Sequence, residues 1–311
     1  MTIQNVQNKD HILLRIAAAS RMYSIGKKFN NASLMLNVVL MSTITFLSLA
    51  LNTETFSKFL GVDKMDISSW VAIASIIVLT LNNLFIGDQI DECKEKAAKI
   101  QDEVDRELFD LKWNQPLAGK PAQIADITKH GDWLIKKHGK QRFRDWYSLT
   151  SDKLTKSQQA LICQNSCLSW DSSLRGKVNI VLLIIGVTIF VSATCFSLFL
   201  NLKTTSILTN IIGLLGPISD YGYTTYKSNK DSIENNNRLL EYVTEAINSA
   251  NSVTEPELKQ LVEKIQDQMF VKRKSDWPIP DKLYRMLRSS HENIMINSSA
   301  ELERKFESRT P

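Results

Sequence analysis

Arg142 and Arg144 stand two residues apart and run straight into Trp146 and Tyr147. Guanidinium groups hold phosphate oxygens through charge-assisted hydrogen bonds, and aromatic faces stack on planar bases. Gln164, Trp170 and Arg175 bring a similar mixture of amide, indole and guanidinium, and Arg273, Lys274 and Trp277 bring it again in the last third of the chain. These ten residues are the candidates for a site that takes a phosphate- and base-bearing ligand. Each has a plainer reading beside this one. Trp146, Trp170 and Trp277 suit core positions or membrane-interface anchors, and Arg175 suits a lipid headgroup contact.

A second polar set lies where polar residues are rare. Asn37, Asn82, Asn83 and Asn210 interrupt otherwise apolar runs. An asparagine in hydrocarbon faces protein or water rather than lipid, so these four are expected to line a polar path or to join helices by hydrogen bonds. Gly213, Gly216 and Pro217 cluster near the end of the last apolar run and could form a hinge there.

Enzymatic chemistry is not indicated. The chain has no P-loop, no nucleophile elbow, no HExxH helix and no Gly-Ser followed by paired aspartates. Its cysteines, Cys93, Cys163, Cys167 and Cys195, are too few for a disulfide framework in 311 residues. No histidine stands at metal-ligand spacing from Cys163 and Cys167, so neither a metal nor a cofactor is expected. The 38 Lys and Arg nearly balance 33 Asp and Glu, for a net charge of +5. That is too even for a nucleic-acid surface, and no direct nucleic-acid binding is expected.

The elements that must position these residues are helices, some of them in a membrane. Mean hydropathy is −0.15, but the apolar residues are concentrated in blocks. Ser33 to Asn52 and Ile67 to Gly87 carry no charge and are each about 20 residues long, enough to cross hydrocarbon. Val178 to Leu202 is the strongest run, and Thr204 to Ser219 is a shorter fourth. Between them, residues 88–177 hold 16 Lys and Arg, and the segment after Ser219 holds 14, whereas the loop before Thr204 holds only Lys203. Four crossings put all the basic segments on one side, which the positive-inside rule makes cytoplasmic. No signal peptide is expected, because residues 1–31 are polar and no small-residue cleavage site follows the first run.

The expected architecture is an all-α membrane protein with two transmembrane hairpins, 33–52 with 67–87 and 178–202 with 204–219. A helical cytoplasmic domain is expected from an amphipathic arm (1–32), the middle segment (88–177) and the tail (220–311). Ile90, Cys93, Ala97, Ile100, Val104 and Leu111 form a helical seam interrupted by Glu107. Shorter helices are expected over 122–137 and 141–149. Ile233, Leu240, Val243 and Ile247 form a second seam, and Thr254-Glu255-Pro256-Glu257 is a capping box that opens another helix. A last helix is expected over 281–306.

The cytoplasmic residues resemble a known family. Ala97-Ala98-Lys99-Ile100-Gln101-Asp102-Glu103-Val104-Asp105 is followed by Leu111-Lys112-Trp113-Asn114, then Asp145-Trp146-Tyr147, Ile162-Cys163-Gln164-Asn165 and Trp170-Asp171-Ser172-Ser173-Leu174-Arg175. Ile265-Gln266-Asp267, Arg273, Trp277, Tyr284 and Arg288 close the series. In that order, around two hairpins, the chain resembles the four-transmembrane effectors associated with SMODS nucleotide synthetases, and the resemblance covers nearly its whole length. It implies a role in CBASS, cyclic-oligonucleotide antiphage signalling. The implied effector sits in the bacterial inner membrane with both termini cytoplasmic. There a cyclic oligonucleotide would trigger a homo-oligomer to permeabilise the lipid bilayer and abort the infection. One position departs: Asn165-Ser166 stands where the family has a basic residue after its Cys-Gln pair. The rival expectation is a non-conducting, membrane-anchored scaffold that recruits cytoplasmic partners.

Overall fold

The computed structural model describes residues 3–52, 54–59, 61–149, 151–199 and 204–308, with side chains at 49, 55, 56, 83, 193, 196–199, 204–215, 217, 282, 285 and 287–295 excepted. The described residues form helices α1 (Ile3–Gln7), α2 (Asp10–Leu34), α3 (Met41–Asn52), α4 (Glu54–Phe59), α5 (Ser68–Leu81), α6 (Asp88–Phe109), α7 (Gln115–Ala118), α8 (Ile124–His138), α9 (Lys156–Phe199), α10 (Thr204–Ser249), α11 (Glu255–Ser275) and α12 (Asp281–Glu307), with no strand among them. The chain is an all-α membrane protein. It folds into two units that interleave along the sequence: residues 1–27, 91–177 and 229–311 make one, and residues 28–90 and 178–228 make the other.

The first unit has an ordinary apolar core. Ile12, Leu13 and Ile16 of α2, Val104 and Leu108 of α6, Leu161 and Ile162 of α9, and Val243 and Ile247 of α10 are all buried in one cluster. Leu258, Val262, Ile265 and Met269 of α11 join them at helical spacing, which is the amphipathic stripe a core-facing helix needs. The capping box opens α11: the Thr254 backbone N–H donates to Glu257 Oε2 at 2.8 Å. Where α2 meets α8 the helices lie so close that a Cβ on Gly131 would stand 2.5 Å from the Leu14 carbonyl oxygen.

The second unit inverts this logic. Helix α5 has no buried residue, although it is almost entirely apolar. Trp70, Ile76, Leu183, Ile184 and Phe190 are all more than half exposed. Large apolar side chains left open over whole helical turns are suited to lipid. Among the described residues three helices are long and apolar enough to cross a membrane, within 10–52, 68–109 and 156–192. The fourth run, Thr204 to Ser219, has nearly all its side chains outside the described residues. Two departures from α geometry fall in this unit. Met35–Leu40 and Asn82–Gly87 are π-helical, one at the start of the first span and one at the end of the second.

One expected helix is absent. Instead of a helix over 141–149, the chain makes a single 3₁₀ turn at Lys140–Phe143 and then runs irregularly, with bends at Arg144 and Tyr147. Phe143, Tyr147 and Leu149 are all buried.

Candidate functional site

This irregular segment is held by side chains rather than by a helix or sheet. Asp145 has φ 52°, a left-handed conformation that costs a non-glycine residue energy. It is fixed by a reciprocal pair: Asn8 Nδ2 donates to Asp145 Oδ1 at 2.9 Å, and the Asp145 N–H donates to Asn8 Oδ1 at 3.0 Å. Gln7 does the same for Tyr147, whose N–H donates to Gln7 Oε1 at 2.9 Å while Gln7 Nε2 donates to the Tyr147 carbonyl at 3.1 Å. The Tyr147 side chain turns inward, and its hydroxyl donates to Asp105 Oδ1 at 2.7 Å. Trp146, between these two anchors, stays 38% exposed. It lines a solvent-open cleft with a cavity volume of about 30 Å³. Ile16, Ala19 and Val104 supply the apolar surface of this cleft, and Ser20, Tyr23 and Gln101 its polar groups.

Below the cleft the core turns polar. Asp102 and Asp105 of α6 are fully buried. Arg106 Nε donates to Asp102 Oδ2 at 2.6 Å and its Nη2 to Asp267 Oδ1 at 2.6 Å. Arg273 Nη1 donates to Asp105 Oδ2 at 2.6 Å. Gln266 Nε2 bridges both carboxylates, at 2.8 Å to Asp102 and 3.2 Å to Asp105, and Gln164 Nε2 reaches Gln266 Oε1 at 3.2 Å. Burial raises the Asp102 carboxyl above the usual carboxylate range despite Arg106 and Gln266. Burial opposes the charge on Arg273, but Asp105, Tyr147, Cys167 and Tyr23 together outweigh it and hold the guanidinium well above its ordinary value. Burial also pushes the Cys167 thiol up to about 11, so it stays protonated and unreactive.

A second charged cluster ties α9, α10 and α11 together. Arg175 Nε donates to Asp171 Oδ2 at 2.9 Å, its Nη2 to Asp276 Oδ2 at 2.9 Å, and its Nη1 to Asn229 Oδ1 at 2.8 Å and the Trp277 carbonyl at 3.2 Å. Lys272 binds Asp171 at 2.5 Å and also pairs with Asp276. Burial alone would raise Asp171, but Arg175 and Lys272 together hold it well below the usual carboxylate range. Gln164 Oε1, Asn229 Nδ2 and Asn236 Oδ1 are buried with no hydrogen-bond partner among the described residues. Each such group costs roughly 1–3 kcal/mol.

The structure thus divides the ten sequence candidates. Tyr147, Gln164 and Arg273 converge on Asp105 and Gln266, and Arg175 meets the Trp277 carbonyl. The Tyr147 hydroxyl, Gln164 Nε2 and the two guanidinium groups are engaged by the protein itself, which makes these residues framework first, and Gln164 Oε1 alone of this set lacks a partner among the described residues. Trp170 packs edge-on against Tyr284 at 5.4 Å. Lys274 sits on the surface and pairs with Glu95 at 2.8 Å. Arg142, Arg144 and Trp146 are exposed near the cleft mouth in sequence. Sequence reasoning missed Tyr23 and Gln101 of the cleft, and also Asp102, Asp105, Asp171, Asn229, Asn236, Gln266 and Asp276. One signal was available: Asn229, Ser232 and Asn236 continue the Val243 seam backward at spacings of three and four, as a polar stripe.

Of the intramembrane set, Asn37 and Asn82 lie in the two π-helical segments. Asn37 Nδ2 donates to the Ser33 carbonyl at 2.9 Å, and Asn82 Oδ1 is buried and unpartnered among the described residues. The side chains of Asn83, Asn210 and Pro217 lie outside the described residues, as does whatever Gly213 packs against. Gly216 is exposed, and the α10 helix is continuous through all three expected hinge residues.

One helical unit has a charged, hydrogen-bonded core and the other leaves large apolar faces open, as the helices of a membrane protein do. The chain belongs to the family described as the SMODS-associating 4TM effector domain, whose profile matches residues 1–302. It is also 27% identical over 233 residues to a probable CBASS effector molecule of Bacillus cereus (strain VD146), covering 71% of this chain and 75% of that protein. No solved structure matches the chain.

Proposed function

We propose that this chain is the inner-membrane effector of a bacterial cyclic-oligonucleotide antiphage system. Its helical polar unit binds the messenger, and its apolar unit then permeabilises the membrane and aborts the infection. The observation that carries this reading is that a member of an effector family named for four transmembrane segments pairs lipid-suited helices with an aromatic-lined cleft. The similar Bacillus protein, named as a probable CBASS effector, supports the same context. With four crossings the basic segments fall on one side, and the positive-inside rule supports cytoplasmic termini, on the side where the messenger is made.

The physical requirement for gating is a difference in affinity between two states of the protein. Helices α6, α9 and α10 are the routes, because each carries buried residues of the first unit and continues into a span or leads out of one. Four helices enclose a narrow path at best, so the conducting state is an oligomer. Asn37 and Asn82 supply its polar lining near the cytoplasmic end of the first hairpin.

The test is dye release from liposomes that carry the purified, inserted protein, with and without a panel of cyclic di- and trinucleotides. Release triggered by one nucleotide supports the gated effector and identifies its signal. Silence across the panel from folded, inserted protein favours a non-conducting scaffold.

A further inference from the structure

The cleft beside Trp146 carries more of the messenger's chemistry than a general phosphate- and base-binding surface would. Its lining is apolar on one part and hydrogen-bonding on the other. Two aromatic side chains, Tyr23 and Trp146, border it. The side chains of Ser20, Tyr23 and Gln101 make no hydrogen bond among the described residues, although α2 and α6 pack closely around them. Polar groups gathered at the edge of an apolar cleft without protein partners are the mark of a ligand site.

The backbone around Trp146 points the same way. A buried or plainly surface tryptophan needs no special support. Here an αL aspartate and four hydrogen bonds from Asn8 and Gln7 hold the residues on either side of it. Strain maintained by its surroundings at one exposed aromatic residue is a feature that clusters at binding sites.

We propose that this cleft is the base pocket of the messenger and that the base is adenine. This inference rests on the reading of the protein as a cyclic-nucleotide effector and adds the residues and the base. Trp146 and Tyr23 provide aromatic surface for stacking. Gln101 presents an amide donor and acceptor together, the pairing that matches the alternating N6–H donor and ring-nitrogen acceptor of adenine. Guanine calls for a cation at O6 and N7 or a carboxylate at its N–H groups, and the cleft lining contains neither. Arg142 and Arg144, exposed and within four residues of Trp146, are the cations available for the phosphates. Arg273 and Arg175 are not available, because Arg273 is tied to the buried Asp105 and Arg175 to Asp171 and Asp276.

The experiment measures equilibrium binding of radiolabelled cyclic di-AMP, cyclic tri-AMP, cyclic di-GMP and cyclic di-UMP to the full chain in lipid nanodiscs. Wild type, Trp146→Ala and Gln101→Leu are compared, and each variant's unfolding midpoint confirms that it is folded. The expected result is binding of an adenine messenger that weakens roughly tenfold or more in both variants, the scale of one lost bidentate or stacking contact. Folded variants that bind like wild type overturn the pocket and leave the effector reading standing. A preference for the guanine or uracil messenger overturns the adenine assignment. Binding of no member overturns this inference together with the ligand half of the proposed function.

Discussion

Arg273 and Asp105 meet at 2.6 Å from positions 168 residues apart in sequence, inside a unit where Asp105 is fully buried. This pair fastens α11 to α6, and Tyr147 and Gln266 supply further donors to the same carboxylate. A buried ion pair adds little net stability over a well-packed apolar replacement, but breaking one half of it strands the other. Arg273→Met is therefore expected to lower the unfolding free energy by about 3–5 kcal/mol. Thermal unfolding followed by helical circular dichroism in detergent checks it, with Lys274→Met as the comparison. Lys274 is half exposed and pairs with Glu95 on the surface, so its loss is expected to be within about 1 kcal/mol.

Asp171 gives a pH signature. Arg175 and Lys272 hold its folded carboxyl well below the ordinary value of 3.8. A depressed carboxylate contributes stability that is fully present above the unfolded value and is lost as pH falls through the folded one. Asp171→Asn is therefore expected to be destabilised at neutral pH, and its gap from wild type to narrow steadily below the ordinary value of 3.8. Asp102 works in the opposite direction, because its raised carboxyl releases a burial cost on protonation. The comparison of unfolding midpoints for Asp171→Asn and wild type across an acid series isolates the Asp171 contribution. A gap that stays constant to low pH would sink the assignment.

The first three spans, the α11 capping box and the apolar seams were legible in the sequence because each is a local pattern. Twenty uncharged residues, a Thr-x-x-Glu start and a three-four repeat need no knowledge of the partner. The polar core was not legible, for a physical reason. Asp102, Asp105 and Asp171 look like solvated charges on amphipathic helices until Gln266, Arg273 and Lys272 arrive from more than a hundred residues away. Residues 141–149 were misread as a helix for the same reason, since Gln7 and Asn8 replace the backbone bonds a helix would have made. The cleft was half legible: Trp146 stood out as an aromatic beside arginines, but Gln101 and Tyr23 counted only toward the family resemblance and their helical patterns gave no sign of a ligand contact.

Gly131 sets the distance between α8 and α2. A Cβ there would meet the Leu14 carbonyl oxygen at 2.5 Å and Leu14 Cδ1 at 2.6 Å. The side chain could give way, but the carbonyl belongs to the α2 backbone. Gly131→Ala is expected to cost about 1–3 kcal/mol, the usual penalty for overpacking. It should also disturb the stacking of Arg21 on Trp133, whose guanidinium carbon lies 3.6 Å from the ring centroid. Unfolding midpoint and tryptophan emission report the two effects in one sample. Unchanged values in both would show that the helices part freely.

Asn82 separates a conducting role from a structural one. It opens the π-helical segment at the end of the second span, and its Oδ1 is buried without a partner among the described residues. A π-helical turn within an α-helix often marks a functional site, since it widens the helix and unsettles its hydrogen-bond ladder. Were Asn82 there to join helices, its replacement by leucine would cost the stability of that bond. With no partner for the oxygen among the described residues, Asn82→Leu is instead expected to leave the unfolding midpoint unchanged or raised. If the same amide lines the hydrated path of the open state, messenger-triggered dye release should fall about tenfold, the factor matching the ~1–2 kcal/mol of an intramembrane polar contact. Reduced release at unchanged stability, with messenger binding intact, is the pattern that only a pore-lining residue gives. Full release from folded Asn82→Leu would move the permeation path away from the first hairpin.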